Sequence, residues 1–149
     1  RHAWGNPPHP PQMLCADSVV FCGEYVLLVT RKDNGFLALP GGHVNFDETM
    51  LACAVRELQE ETGLDISKYD STLLFSEVFD KPDRSESRPF RVLTQASAFS
   101  INSKTLPFVE AGDDAADANW YPVTELKLYT LHDDHADIIY KCWNKANFK

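Results

Sequence analysis

Glu57, Glu60 and Glu61 stand three and four residues apart in the stretch LPGGHVNFDETMLACAVRELQEETGLD, Leu39 to Asp65. On a helix their carboxylates project within about 100° of one another, one turn apart. Like charges so spaced destabilise an isolated helix by about 0.2–0.5 kcal/mol per pair. A solvated acidic face is the plain reading of three such carboxylates taken alone. Their neighbours argue for more. The Gly41–Gly42 pair ahead of the helix lets backbone carbonyls approach a ligand, and Arg56 can pair with Glu48 and hold a carboxylate in place. A hard divalent cation such as Mg²⁺ takes oxygen ligands, retains several waters and binds phosphates. The pattern therefore predicts a metal cradle of carboxylates and a carbonyl oxygen.

The elements that must position this cluster can be read from periodicity. MLCADSVVFC (Met13 to Cys22) and YVLLVTR (Tyr25 to Arg31) are strand-like runs separated by Gly23–Glu24, a hairpin signal. FLALP reads as a short strand closed by a Pro40–Gly41–Gly42 turn. In the helix that follows, Leu51, Ala54, Val55 and Leu58 keep helical spacing, Asn45 or Asp47 can cap its start, and Gly63 supplies its stop. Strands are predicted over STLLFSEVF (Ser71 to Phe79), FRVLTQASAFSI (Phe90 to Ile101) and ANWYPV, and HDDHADIIYKCWNKA reads as a closing helix with Ile138, Ile139, Cys142 and Trp143 on one face. This order implies an α/β or α+β sandwich, a mixed sheet between helices. Residues 1–12, rich in proline, read as an extended arm or interdomain linker, and residues 13–149 as one domain.

Bulk properties narrow the partners. A formal net charge of −8 disfavours a non-specific nucleic-acid binder, which must neutralise phosphates with Lys and Arg. No run approaches the roughly 20 apolar residues of a membrane span. Cys15, Cys22, Cys53 and Cys142 lack CxxC spacing and sit in apolar contexts, so buried reduced thiols and a reducing, cytoplasmic compartment are expected.

From Gly42 the chain runs through Glu48 to Arg56-Glu57-Leu58-Gln59-Glu60-Glu61-Thr62-Gly63-Leu64, and this resembles the Nudix box of the Nudix hydrolases at every specified position. The resemblance implies a Nudix fold and Mg²⁺-dependent hydrolysis, with Mn²⁺ as substitute, of a diphosphate linked to another moiety. Carried over by position, Glu57, Glu60 and Glu61 become metal ligands, with a backbone oxygen near Gly41 and Gly42, while Glu48 and Arg56 order the loop and helix. Such metals would neutralise the diphosphate and lower the pKa of an attacking water.

VFDKPDRS (Val78 to Ser85), GDDAADANWYPVTEL (Gly112 to Leu126) and DDHADII (Asp133 to Ile139) are similar to the ADP-ribose pyrophosphatase domain of proteins that also carry a nicotinamide mononucleotide adenylyltransferase, and AWGNPPHPP resembles the linker between the halves. That resemblance implies ADP-ribose as substrate, AMP and ribose 5-phosphate as products, homodimers, and an adenylyltransferase half preceding Arg1 in the native protein. Where this branch has a short Arg-Gly-Arg turn the chain has Glu86-Ser87-Arg88-Pro89-Phe90-Arg91. Arg84, Arg88 and Arg91 read either as clamps for an anionic substrate or as surface ion pairs. Asp114 is a candidate general base on a Gly-led loop, and Asp113 beside it reads rather as a turn that caps its own backbone. His135 reads as supporting the site and His132 as a surface or packing residue. Trp4, Phe79, Phe108 and Trp120 are candidate stacking rings or core aromatics. His43 and Phe46 are expected to shape the loop.

Three other readings compete. One is a Nudix hydrolase of NADH, a nucleotide sugar or an oxidised nucleotide. Another is a non-catalytic ADP-ribose-binding module. The third is a ligand-sensing transcription regulator, which would need a winged helix where ten residues follow Ile139.

Overall fold

The computed structural model describes residues 9, 11–84 and 90–147. The hairpin forms as expected from β1 (Met13–Cys22) and β2 (Tyr25–Arg31), turning at Gly23 with φ 60°. Seven strands make one sheet, completed by β3 (Leu37–Ala38), β4 (Gly41–His43), β5 (Ser71–Phe79), β6 (Val92–Ile101) and β7 (Ala115–Pro122). The path runs β3-β2-β1-β6-β5, with β4 also paired to β1 and β7 to β2. β1 and β6 lie parallel from Met13↔Val92 to Cys22↔Ile101, and the remaining pairings are antiparallel. The sheet is mixed.

Alternation along the strands gives the sheet two apolar faces. Val19 and Phe21 of β1 with Val26 and Leu28 of β2 pack against Ile138, Ile139 and Cys142 of α2 (His135–Asn147). Val20, Cys22 and Leu27 face the other way, onto Leu58 of α1 (Met50–Thr62) and onto Leu64, Ile66 and Phe99. The sheet is thus sandwiched between the two helices, the α/β sandwich expected from the order of elements.

Several boundaries differ from the sequence reading. The N-cap of α1 is Thr49, whose hydroxyl accepts from Ala52 N–H at 3.0 Å, and neither Asn45 nor Asp47. Asn45 instead closes a turn with Glu48, donating its N–H to Glu48 Oε1 at 2.9 Å. Gly41 and Gly42 are not a turn but part of β4, paired with Asp17 and Ala16 of β1. The sixth strand starts at Val92, not Phe90, and α2 starts at His135, not His132, because Asp133 at φ 45° takes the left-handed backbone that interrupts a helix. Gly63 does end α1, at φ 73°, donating its N–H to Gln59 O.

Candidate active site

Helix α1 meets the sheet along β4, which lies against Cys53, Glu57 and Glu61. A Cβ on Gly42 would come within 2.6 Å of Glu57 Cδ, and one on Gly41 would lie 1.9 Å from Asp17 Oδ1 and 2.5 Å from Ala16 O. At Gly41 only glycine lets this strand lie against the backbone of β1, while at Gly42 the neighbour is the Glu57 side chain. Gly41 N–H donates to Glu61 Oε2 at 2.8 Å, so the helix and the strand are joined at the cluster itself.

Arg56 answers the crowding of negative charge. It grips Glu48 with Nη2 on Oε1 at 2.7 Å and Nε on Oε2 at 3.0 Å, and its Nη1 reaches Glu57 Oε1 at 2.8 Å and Glu60 Oε2 at 3.0 Å. The guanidinium holds the Glu48 carboxyl down at about 2, and these partners in turn raise Arg56 further above its ordinary range. Glu60 is the most exposed of the three, at 56% of its side chain. Glu61 lies deeper. Burial first, then the charge of Glu57 and a hydrogen bond shared with it, push the Glu61 carboxyl up to about 8 against the opposing Gly41 N–H.

Among the described residues, no three His, Cys, Asp or Glu side chains already stand in a metal-ligand arrangement. The donor set nonetheless fits a hard divalent cation. Glu57 and Glu61 bring carboxylate oxygens close to one another, those oxygens are hard, and a glycine cradle keeps the strand backbone against Glu57.

A cleft of about 690 Å³ opens beside this point, bounded by Gly41, Gly42, His43 and Glu61 at one end and by Arg31, Lys32 and Asp114 on the rim. Asp114 is brought there because the preceding segment docks on the end of α1, through Glu110 N–H to Thr62 O and Gly112 N–H to Glu61 O, each 2.9 Å. Lys32 Nζ donates to Asp113 O and holds the same loop from the other side.

The floor is a polar group in which Arg84 and His135 were expected near the site and Asp17 and Thr94 were missed by sequence reasoning. Asp17, Thr94, Arg84 and His135 all line the cleft and are buried. Thr94 Oγ1 donates to Asp17 Oδ2 at 2.8 Å, and His135 Nε2 lies 4.0 Å from the same oxygen. Burial lifts the Asp17 carboxyl to about 6, against the Thr94 hydroxyl and the Arg84 charge, and lowers His135 to about 4. An aspartate inside an otherwise apolar strand was the available signal.

Other expected residues are placed differently. Arg84 clasps Asp134 through Nε and Nη2 at 2.8 and 2.9 Å and donates Nη1 to Val92 O, so it ties the segment after β5 to the start of α2. Arg91 donates to Gln12 Oε1 and Asp80 O and does not line the cleft. Arg88 and Trp4 lie outside the described residues. Trp120 is buried with its N–H on Pro107 O, and Phe79 packs on the α2-side core, so neither is a free stacking face; Phe108 is 79% exposed. Phe46 is exposed near the start of α1. Cys22, Cys53 and Cys142 are buried thiols as expected, whereas Cys15 is half-buried, lines the cleft and has its Sγ 3.6 Å from His43 Nδ1.

The model of the NUDIX domain matches residues 13–142. The chain belongs to the Nudix family. This Nudix domain is 35% identical over 143 residues to an ADP-ribose pyrophosphatase of Methanocaldococcus jannaschii, covering 93% of the chain and 77% of that protein. It superposes with a TM-score of 0.84 and 29% identity on a bifunctional NMN adenylyltransferase/ADP-ribose pyrophosphatase of Francisella tularensis solved with AMP and a manganese ion; the match covers 95% of this chain and 44% of that one. The Nudix domain of Shewanella oneidensis NrtR, solved with ADP-ribose, shares the fold with a TM-score of 0.73 at 21% identity, over 95% of this chain and 94% of that one. The Nudix domain described here is therefore a pyrophosphohydrolase by family. Among its described residues, no helix is long and apolar enough to cross a membrane.

Proposed function

We propose that the chain hydrolyses the diphosphate of ADP-ribose to AMP and ribose 5-phosphate in the presence of Mg²⁺, with Mn²⁺ able to replace it. The observation that carries this reading is the 35% identity to an ADP-ribose pyrophosphatase over 93% of the chain. The cleft supports it, because about 690 Å³ lies within the range of small-molecule sites and Glu61 of the acidic cluster lines it together with Gly41 and Gly42.

Glu57, Glu61 and the Gly42 carbonyl would hold the metal, with Glu60 joining on release from Arg56. When bound, the metal neutralises the diphosphate and makes water a better nucleophile. Glu48 and Arg56 keep the start of α1 and the β4 strand in register. Arg31 and Lys32 on the rim offer cations to a dianionic substrate that a chain of net charge −8 would otherwise repel. Asp114, on the same rim, is the carboxylate that faces the cleft from the loop after β6 and can accept the proton of the attacking water. Residues 1–12 act as a linker, and in a longer protein an adenylyltransferase half precedes them. The partner of this domain is a small nucleoside diphosphate and not a nucleic acid.

The test is AMP release from ADP-ribose by the purified chain, with and without Mg²⁺, beside NADH, ADP-glucose and 8-oxo-dGTP. Metal-dependent turnover that favours ADP-ribose is expected. Preference for another of the four would overturn the substrate while leaving the glutamates their roles. No cleavage of any, with ADP-ribose bound, would make the chain a binding module.

A further inference from the structure

The segment Leu39–Pro40–Gly41 carries the chain from β3 into the glycine cradle, yet Leu39 and Pro40 lie outside every strand ladder. Three side-on contacts hold it instead. Leu39 N–H donates to His135 Nδ1 at 3.0 Å, Ser18 N–H donates to Pro40 O at 2.9 Å, and Gly41 N–H donates to Glu61 Oε2 at 2.8 Å. Leu39 is buried, and its amide takes the imidazole as acceptor where an exposed amide would take water.

His135 is itself held from several directions. Its own N–H reaches His132 O at 3.0 Å, and His132 N–H reaches Leu37 O at 2.8 Å, so the start of α2 is pinned to β3. Asp134 next to it is clasped by Arg84. Because Nδ1 accepts the Leu39 amide, a neutral ring carries its proton on Nε2, the nitrogen that faces Asp17 Oδ2 at 4.0 Å. Asp17 Oδ1 lies directly beneath the Gly41 Cα, where a Cβ would be 1.9 Å away. The imidazole and this carboxylate therefore enclose the segment from two sides.

We propose that His135 is a positioning residue for the metal cradle: through Leu39 N–H and against Asp17 it fixes the segment whose next amide orients Glu61 and whose following glycine, Gly42, lies against the Glu57 carboxyl. This rests on the metal-binding reading of Glu57, Glu61 and Gly42 given above. It differs from a packing role because the effect passes through one hydrogen bond to a backbone amide.

Three variants separate the two roles. Asn puts its amide oxygen near the place of Nδ1, Gln puts its polar end near the place of Nε2, and Leu supplies neither. Exchange of the Leu39 amide by NMR and Mn²⁺ affinity by EPR are read on each variant, with near-UV circular dichroism to register folding. His135→Gln and His135→Leu should expose the Leu39 amide to exchange and weaken Mn²⁺ binding by about 10-fold or more, whereas His135→Asn should retain both within about threefold. If Asn and Gln behave alike, the Leu39 contact is not what matters and the inference falls. A folded His135→Leu chain with unaltered Mn²⁺ affinity overturns it too, and should that variant fail to fold, the Asn and Gln pair still decides. Absence of Mn²⁺ binding in the parent chain removes the metal reading itself, a failure told apart by the parent's own titration.

Discussion

Arg56 binds Glu48, Glu57 and Glu60 together, while Glu61 relies on one backbone amide and shares a hydrogen bond with Glu57. The folded pKa of Glu61, about 8, lies above its ordinary value of 4.5. Between those two pH values the native chain binds a proton that the unfolded chain has lost, so the metal-free protein loses stability as pH rises through this window. Glu61→Gln should therefore stabilise the chain in EDTA by a few kcal/mol at pH 9 and by little below pH 4.5, read from urea midpoints. The same variant should lose turnover by about 10²-fold or more with metal present. Added Mg²⁺ should raise the melting temperature of the parent more at pH 8 than at pH 6, since protons and cation compete for the Glu61 carboxylate. Arg56→Lys cannot reproduce the fork on Glu48, so the Glu48 carboxyl should titrate above its present value of about 2 when followed by NMR.

At the scale of elements, β4 is three residues long and matters for where it lies. Its two glycines face different obstacles. An added methyl at Gly41 meets the backbone oxygen of Ala16 at 2.5 Å as well as Asp17, and neither strand can yield without breaking the β1–β4 ladder. At Gly42 the obstacle is the end of the Glu57 side chain, which can swing away. Gly41→Ala should thus destabilise the fold by about 2 kcal/mol or more, while Gly42→Ala should unfold close to the parent midpoint yet bind Mn²⁺ at least about 10-fold more weakly. Equal losses of stability in the two would contradict this division. The capping hydroxyl of Thr49 gives a simpler check: Thr49→Ala should cost about 1 kcal/mol in thermal or urea unfolding.

Across the whole molecule, the sheet carries two apolar cores, one under each helix. Leu58 and Ile138 are both fully buried, on opposite faces of that sheet. Truncating either to Ala should cost about 2–5 kcal/mol, and because β1 and β2 contribute to both cores, both variants should unfold in one transition by far- and near-UV circular dichroism. A split transition would mean that the helices stabilise separable halves.

What the chain alone determined is local in origin. Helical spacing of Leu51, Ala54, Val55 and Leu58, the Gly63 stop, the Gly23 hairpin and the bounds of β5 all follow from the preferences of neighbouring residues, and so does the pairing of Arg56 with Glu48 within the box. Long-range contacts decided the rest. Gly41 and Gly42 look like a turn until β1 supplies the ladder that makes them a strand. Arg84 reads from the sequence as either a clamp or an ion pair, and only the fold shows that it lines the cleft with its fork on Asp134, fifty residues later. His135 and Asp17 meet around Leu39 and Gly41 only because α2 and β1 bracket that segment in space. Periodicity reports which face of an element is buried, but it carries no information about which polar group waits on the other side. That choice belongs to the packing of elements far apart in the chain.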